Sequence, residues 1–194
     1  MARFTVPNIL CFVRIFLCPF FVVAAARGFW KEAFILFCIA AVTDMVDGSI
    51  ARIFKQKSNL GAFLDPMADK ILMASAFITL AILRLIPFWL ALVVFLRDLM
   101  IVIGLIIFKA KRIKLVYKPT FLSKMATFFQ IFALVFALAP RGLSFLENNS
   151  TEHLGFFIKG FPVMLGGAFF FTLVTGLQYY QIGLRILRTG SYEN

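Results

Sequence analysis

The chain has 194 residues, 62% of them hydrophobic with 26 Phe, and a mean hydropathy of +0.95. That composition argues against a soluble enzyme domain and for one all-α integral membrane domain spanning 1–194. A net charge of +11 fits basic residues gathered at a membrane edge, where anionic lipid attracts each by about 1 kcal/mol, better than it fits a nucleic-acid partner.

Six apolar segments follow one another: 8–26, 33–54, 60–83, 86–108, 121–140 and 160–183. Several exceed the length needed to cross a hydrocarbon core. The first is interrupted by Arg14 and has no small-residue cleavage site of the usual form, so it is read as a retained helix and not a signal peptide. Cys11, Cys18 and Cys38 are scattered through the first two segments and offer neither a disulfide framework nor a zinc site. Arg97 and then Asp98 interrupt the fourth segment, and Lys124 stands at the start of the fifth. Glu147, Glu152 and His153 fall between the fifth and sixth segments, where a solvated loop is expected.

The Lys/Arg distribution sets an orientation. With the N-terminus inside, the cytoplasmic set is Arg3, Arg52, Lys55, Lys57, Lys109, Lys111, Arg112, Lys114, Lys118, Arg185 and Arg188. The opposite set is smaller: Arg27, Lys31, Arg84, Arg141 and Lys159. Arg14, Lys70, Arg97 and Lys124 fall within spans. Both termini are therefore expected in the cytoplasm.

The acidic residues carry the most information. Four of the nine form one pattern, Asp44-x-x-Asp47-Gly48-x-x-Ala51-Arg52, then eight residues, then Gly61-x-x-x-Asp65-x-x-x-Asp69. A carboxylate near the middle of a bilayer costs about 2.5–3.5 kcal/mol on insertion scales, so four unpaired ones would cost on the order of 10 kcal/mol. Divalent cations are the obvious compensation. Positions 44, 47 and 51 share one helical face, as do 61, 65 and 69. Two such helices packed together would enclose a polar, metal-containing cavity. The small residues Gly48, Ala51 and Gly61 would let the backbones approach and leave room for a ligand. Hard oxygen donors suit Mg²⁺ or Mn²⁺. Two ions match four carboxylates better than one, because one leaves excess negative charge in a low-dielectric site.

At these residues the chain resembles the CDP-alcohol phosphotransferases, whose signature D-x-x-D-G-x-x-A-R … G-x-x-x-D-x-x-x-D is matched at each fixed position from Asp44 to Asp69. The resemblance implies a CDP-linked donor, CDP-diacylglycerol in bacteria, with release of CMP. It implies that Asp44, Asp47 and Asp65 hold one metal, and Asp44, Asp65 and Asp69 a second. It places Gly48, Ala51, Arg52 and Gly61 along the nucleotide, with Arg52 near the phosphates. A homodimer in the cytoplasmic membrane, with its active site facing the cytosol, is the family expectation. Asp69, the last carboxylate and one turn deeper than Asp65, is the expected base for the acceptor hydroxyl.

The acceptor is less sharply marked. Val6–Arg14 and Gly61–Lys70 look like bacterial phosphatidylglycerophosphate synthases, which use glycerol-3-phosphate. Lys118–Gln130, and more faintly Gln178–Gln181, look like CMP-forming cardiolipin synthases, which use phosphatidylglycerol. The first reading leads. Arg97 and Lys124 are candidate acceptor-phosphate ligands, since a buried cation with no fixed carboxylate partner suggests a bound anion. The alternatives are a salt bridge from Arg97 to Asp98 or a motif Asp, and snorkelling of Lys124 to the interface. A function of another class, divalent-cation transport, also places carboxylates inside a membrane. It does not require the small residues and Arg52 at fixed offsets.

Overall fold

The computed structural model describes residues 6–53, 61–110, 120–143 and 151–189, with side chains described for 12–43, 70–104, 106–107, 120–143 and 155–186. The described residues form six helices and no strand: α1 (Val6–Ala26), α2 (Trp30–Ile53), α3 (Gly61–Ile82), α4 (Phe88–Ala110), α5 (Phe121–Gly142) and α6 (Thr151–Thr189). The first five lie close to the hydrophobic segments read from the sequence.

The sixth is longer than its apolar segment. At 39 residues it is about 58 Å long at 1.5 Å per residue. Glu152 and His153, expected in a loop, belong to its first turn. Gly160 and Pro162 do not end it. Gly160 is needed by the packing, because a Cβ there would run into the ring of Phe136 on α5. Gly167, seven residues on, leaves the same space for Phe129, seven residues before Phe136 on α5. This repeated ring-against-glycine contact joins α5 and α6 along an antiparallel heptad seam.

Two turns close one end of the bundle with the same hydrogen-bond pattern. After α1, Phe29 N donates to Ala24 O at 2.9 Å and Gly28 N to Ala25 O at 3.1 Å, with Gly28 at φ 77°. After α3, Leu85 N donates to Leu80 O at 2.9 Å and Arg84 N to Ala81 O at 3.0 Å, with Arg84 at φ 58°. Both are Schellman caps, which need a left-handed residue at this position.

Between the turns lies the main core. Phe21, Ala25, Ala33, Phe37, Ala76, Phe77, Leu80, Leu90, Leu134 and Leu138 are all buried. Alanines where α1, α2 and α3 meet let the backbones approach closely. α1 packs against both α2 and α3, α5 against α2, α3 and α6, and α4 against α3 and α6. The outer surface is apolar on every helix, with Phe16, Val42, Ile82, Phe88, Phe121 and Phe170 each more than half exposed. Among the described residues, Phe121–Gly142 and Gly155–Ile186 are long and apolar enough to cross a bilayer.

Candidate active site

Asp44, Asp47, Gly48, Ala51 and Arg52 lie in the last turns of α2, and Gly61, Asp65 and Asp69 in the first turns of α3. The intervening residues 54–60 and the side chains of 44–53 and 61–69 lie outside the described set. The backbone therefore brings both halves of the motif to helical segments that a short connection joins. α1, packed on both α2 and α3, bridges the two carboxylate helices.

A small cluster gives the register. Cys18, Ala40 and Leu72 are buried together where α1, α2 and α3 meet. Toward the motif end, one turn from Cys18 is Arg14, one turn from Ala40 is Asp44, and three residues from Leu72 is Asp69. Arg14, Asp44 and Asp69 thus occupy the same level of three neighbouring helices. Arg14 is 1% exposed, so a guanidinium is buried at the depth of the carboxylate motif.

The donor set fits a divalent metal by its chemistry: four carboxylates at helical spacing, each a hard oxygen donor. Among the described residues there is no group of three His, Cys, Asp or Glu side chains that could hold a metal; the side chains of Asp44, Asp47, Asp65 and Asp69 are not among them.

Beside the motif, α3, α4, α5 and α6 share a polar seam. Asp98 Oδ1 lies 2.6 Å from Lys70 Nζ and 2.6 Å from Arg97 Nη1. Arg97 is 6% exposed. Its Nη2 donates to Ser123 Oγ at 2.9 Å, and its guanidinium lies 5.8 Å from the Tyr179 ring centroid. Among the described residues its Nε has no hydrogen-bond partner. Further along, the Thr120 hydroxyl donates to Gln178 Oε1 at 3.3 Å and accepts from Ser123 N at 3.3 Å as the N-cap of α5. Gln130 Nε2 donates to Thr172 Oγ1 at 2.8 Å, with both residues buried.

This arrangement corrects one premise of the sequence reading. Arg97 does have a fixed carboxylate partner, the Asp98 that follows it. The pairing is shared, however: among the described residues Lys70 and Arg97 hold one carboxylate between them. Lys124, one turn into α5, is exposed, as a lysine is when its stem lies along apolar surface and its ammonium reaches an interface. Lys111, Arg112, Lys114 and Lys118 of the basic run lie outside the described residues, as does the Lys109 side chain.

Sequence reasoning noted Arg14, Lys70 and Asp98 as charges inside apolar segments and quoted Ser123, Gln130 and Tyr179 only within longer runs, giving none of them a functional role, and it passed over Thr172. Arg14, Lys70 and Asp98 were findable as ionisable residues inside apolar segments. The others carry no such signal.

Comparison with known proteins adds to this geometry. The family model for CDP-alcohol phosphatidyltransferase matches residues 4–175. A CDP-diacylglycerol–glycerol-3-phosphate 3-phosphatidyltransferase of Bacillus subtilis is 32% identical, covering 97% of this chain and 100% of that protein. A probable cardiolipin synthase (CMP-forming) of Drosophila melanogaster is also 32% identical, over 77% of this chain and 52% of its own length. A Salmonella typhimurium protein named as the Bacillus one is 46% identical, over 39% of this chain and 43% of its own length. Against the fly and Salmonella relatives the chain spans about half their length or less, and against the Bacillus relative all of it. With the motif complete and the match running through almost the whole chain, the protein belongs to the CDP-alcohol phosphatidyltransferase family of phospholipid biosynthesis.

Proposed function

We propose that this chain transfers a phosphatidyl group from CDP-diacylglycerol to the hydroxyl of glycerol-3-phosphate and releases CMP. The observation that carries the reading is the complete Asp44–Asp69 motif, set at the adjoining ends of α2 and α3 beside a seam in which Lys70 and Arg97 share the Asp98 carboxylate. The full-length match to the Bacillus relative supports this acceptor. Phosphatidylglycerol is the second acceptor, favoured by the equal identity to the fly relative. Membership of an enzyme family weighs against the cation-transport alternative.

Members of the family are generally divalent-metal dependent. Asp44, Asp47 and Asp65 would hold one ion, and Asp44, Asp65 and Asp69 a second, as Mg²⁺ or Mn²⁺. Bound there, the ions would neutralise the donor's pyrophosphate and make CMP a better leaving group. The chain's own residues do the rest. Gly48, Ala51 and Gly61 lack bulk and leave space for the nucleotide, and Arg52 meets its phosphates. Asp69 accepts the proton of the acceptor hydroxyl as its oxygen attacks phosphorus. Arg97, with its positive charge only partly balanced by Asp98, holds the acceptor's phosphate together with Lys124.

The same reading places all six helices across the cytoplasmic membrane. The apolar outer surface of every helix supports six spans, and α1–α4 each exceed 20 residues. Both termini and the carboxylates then face the cytoplasm, and two copies form a homodimer.

The deciding experiment incubates the purified protein with CDP-diacylglycerol and each acceptor in turn, with lipid products read by mass spectrometry. Phosphatidylglycerophosphate is expected from glycerol-3-phosphate. Cardiolipin formed from phosphatidylglycerol, with no product from glycerol-3-phosphate, would replace the leading acceptor. No CMP release with either would overturn the reading.

A further inference from the structure

We propose that Asp98 is the charge-balancing residue of the candidate metal site: by neutralising Lys70 it keeps the carboxylate helix able to bind divalent cations. The inference rests on the reading that Asp65 and Asp69 are metal ligands.

Lys70 directly follows Asp69 on α3, and consecutive Cα atoms are about 3.8 Å apart. A lysine at this place puts a positive charge in the neighbourhood of any cation held by Asp69, at a separation comparable with the screening length of about 10 Å. Solvent screens Lys70 in part, while Asp98 and Arg97 are more deeply buried. Lys70 and Asp98 side chains are 34% and 17% exposed, and that of Arg97 is 5% exposed. An unbalanced ammonium there opposes metal binding, and a divalent ion feels the repulsion twice over.

Asp98 answers this charge. It stands on α4, across from Lys70, and its Oδ1 is 2.6 Å from the ammonium. The same oxygen lies 2.6 Å from Arg97 Nη1. Arg97 has two further supports, the Ser123 hydroxyl and the Tyr179 ring. For Lys70, Asp98 is the one ion-pair partner among the described residues. Loss of the Asp98 charge therefore leaves two cations beside the carboxylate helix, of which Lys70 is the one adjoining the motif. A pair serving stability alone is replaceable by packed apolar groups at little cost. Removing one partner is costly in either case, but only in a charge-balancing pair do the two partners have opposite effects on metal affinity.

That opposition supplies the test. Purified full-length protein is titrated with Mn²⁺, and free ion is read by electron paramagnetic resonance, for the wild type, Asp98→Asn, Lys70→Met and the double variant. Asp98→Asn is expected to weaken Mn²⁺ binding on the order of 10–100-fold. Lys70→Met should bind at least as tightly as the wild type. The double variant should recover most of the loss, because the offending ammonium has gone. A simple structural role predicts that Lys70→Met weakens binding as Asp98→Asn does, and that result overturns the proposal, as does a double variant that binds no better than Asp98→Asn. Wild-type affinity in Asp98→Asn overturns it too. If Asp98→Asn does not fold, Lys70→Met decides alone, and weaker Mn²⁺ binding in it counts against charge balance. Failure of the wild type to bind Mn²⁺ sinks the metal reading itself, and is thereby distinct from failure of the Asp98 role.

Discussion

At the end of the bundle closed by the α1–α2 and α3–α4 turns, Phe37, Phe77, Leu80, Leu90 and Leu138 are 0–1% exposed, and the contacts among them are apolar. Toward the motif end the helices meet through Lys70, Asp98, Arg97, Ser123, Thr120 and Gln178, each facing a particular partner. The first region is held by volume. A substitution there costs what the missing or excess volume costs, and neighbours of similar size can compensate. The second region is held by pairing. Removing one partner leaves the other buried and unsatisfied, which is worth about 1–3 kcal/mol and more for a charge. Volume and pairing thus hold different lengths of the same helices.

The largest effect should come from the motif. Asp44→Asn, Asp47→Asn and Asp65→Asn should each lower turnover by several orders of magnitude while thermal stability in detergent changes little, and chelator should abolish activity. Full turnover in any one of them, or in chelator, removes the two-metal site. Asp69→Asn separates the two roles given to that residue. As a base it is needed for transfer, so donor binding by calorimetry should survive while CMP release is lost. Equal loss of both would make Asp69 chiefly a metal ligand.

Next come the acceptor contacts. Charge-assisted hydrogen bonds are worth about 1.5–3 kcal/mol, so Arg97→Ala should raise the acceptor's KM by roughly 10–100-fold with the donor's KM nearly unchanged. Lys124→Ala should do so less strongly, since the side chain is exposed. Steady-state kinetics varying one substrate at a time distinguishes these outcomes. An unchanged acceptor KM in both variants would leave Arg97 as a brace between α4, α5 and α6, and Lys124 as an interface anchor.

The apolar side of the comparison predicts the reverse pattern. Gly160→Ala and Gly167→Ala each place a methyl group where a phenylalanine ring already sits. Overpacking of this kind costs about 1–3 kcal/mol. Both variants should therefore melt earlier, while molecules that remain folded turn over at near the normal rate. A Gly167→Ala protein that kept its melting temperature but lost activity would mean that the α5–α6 seam belongs to the site and not to the scaffold.

How much of this the sequence reveals also divides along the two regions. The helices were legible because apolar runs and their ends are local. The motif was legible because its members lie within 26 positions, at fixed helical offsets. The length of α6 was not, because its apolar run begins only at 160, whereas the helix starts at Thr151 in a polar stretch that reads as a loop. The polar seam was least legible. Arg97 and Ser123 are 26 residues apart, Gln130 and Thr172 are 42 apart, and Thr120 and Gln178 are 58 apart. Ser, Thr and Gln in an apolar segment show only that a partner exists, and the packing of α4, α5 and α6 decides which one. Arg97 shows the limit most clearly: its carboxylate neighbour was visible in the sequence, but the sharing of that carboxylate with Lys70 was not.

The smallest effect belongs to the two turns, which share one geometry and differ in one residue. Gly28 and Arg84 both occupy the left-handed position of a Schellman cap, at φ 77° and 58°. For a residue with a Cβ this conformation costs roughly 1 kcal/mol, a cost that Gly28 avoids and Arg84 bears. The space around Gly28 is open, the nearest atom to an added Cβ being Trp30 Nε1 at 3.8 Å. Gly28→Ala therefore tests backbone conformation alone and should destabilise by about 1 kcal/mol. Arg84→Gly should act in the opposite direction and raise the melting temperature by an amount of similar size, reduced by the added freedom of glycine in the unfolded chain. Thermal melts of the two variants in one detergent check the signs. A lower melting temperature in Arg84→Gly would mean that the arginine side chain contributes more than its backbone strain costs, and that this turn is held by its charge.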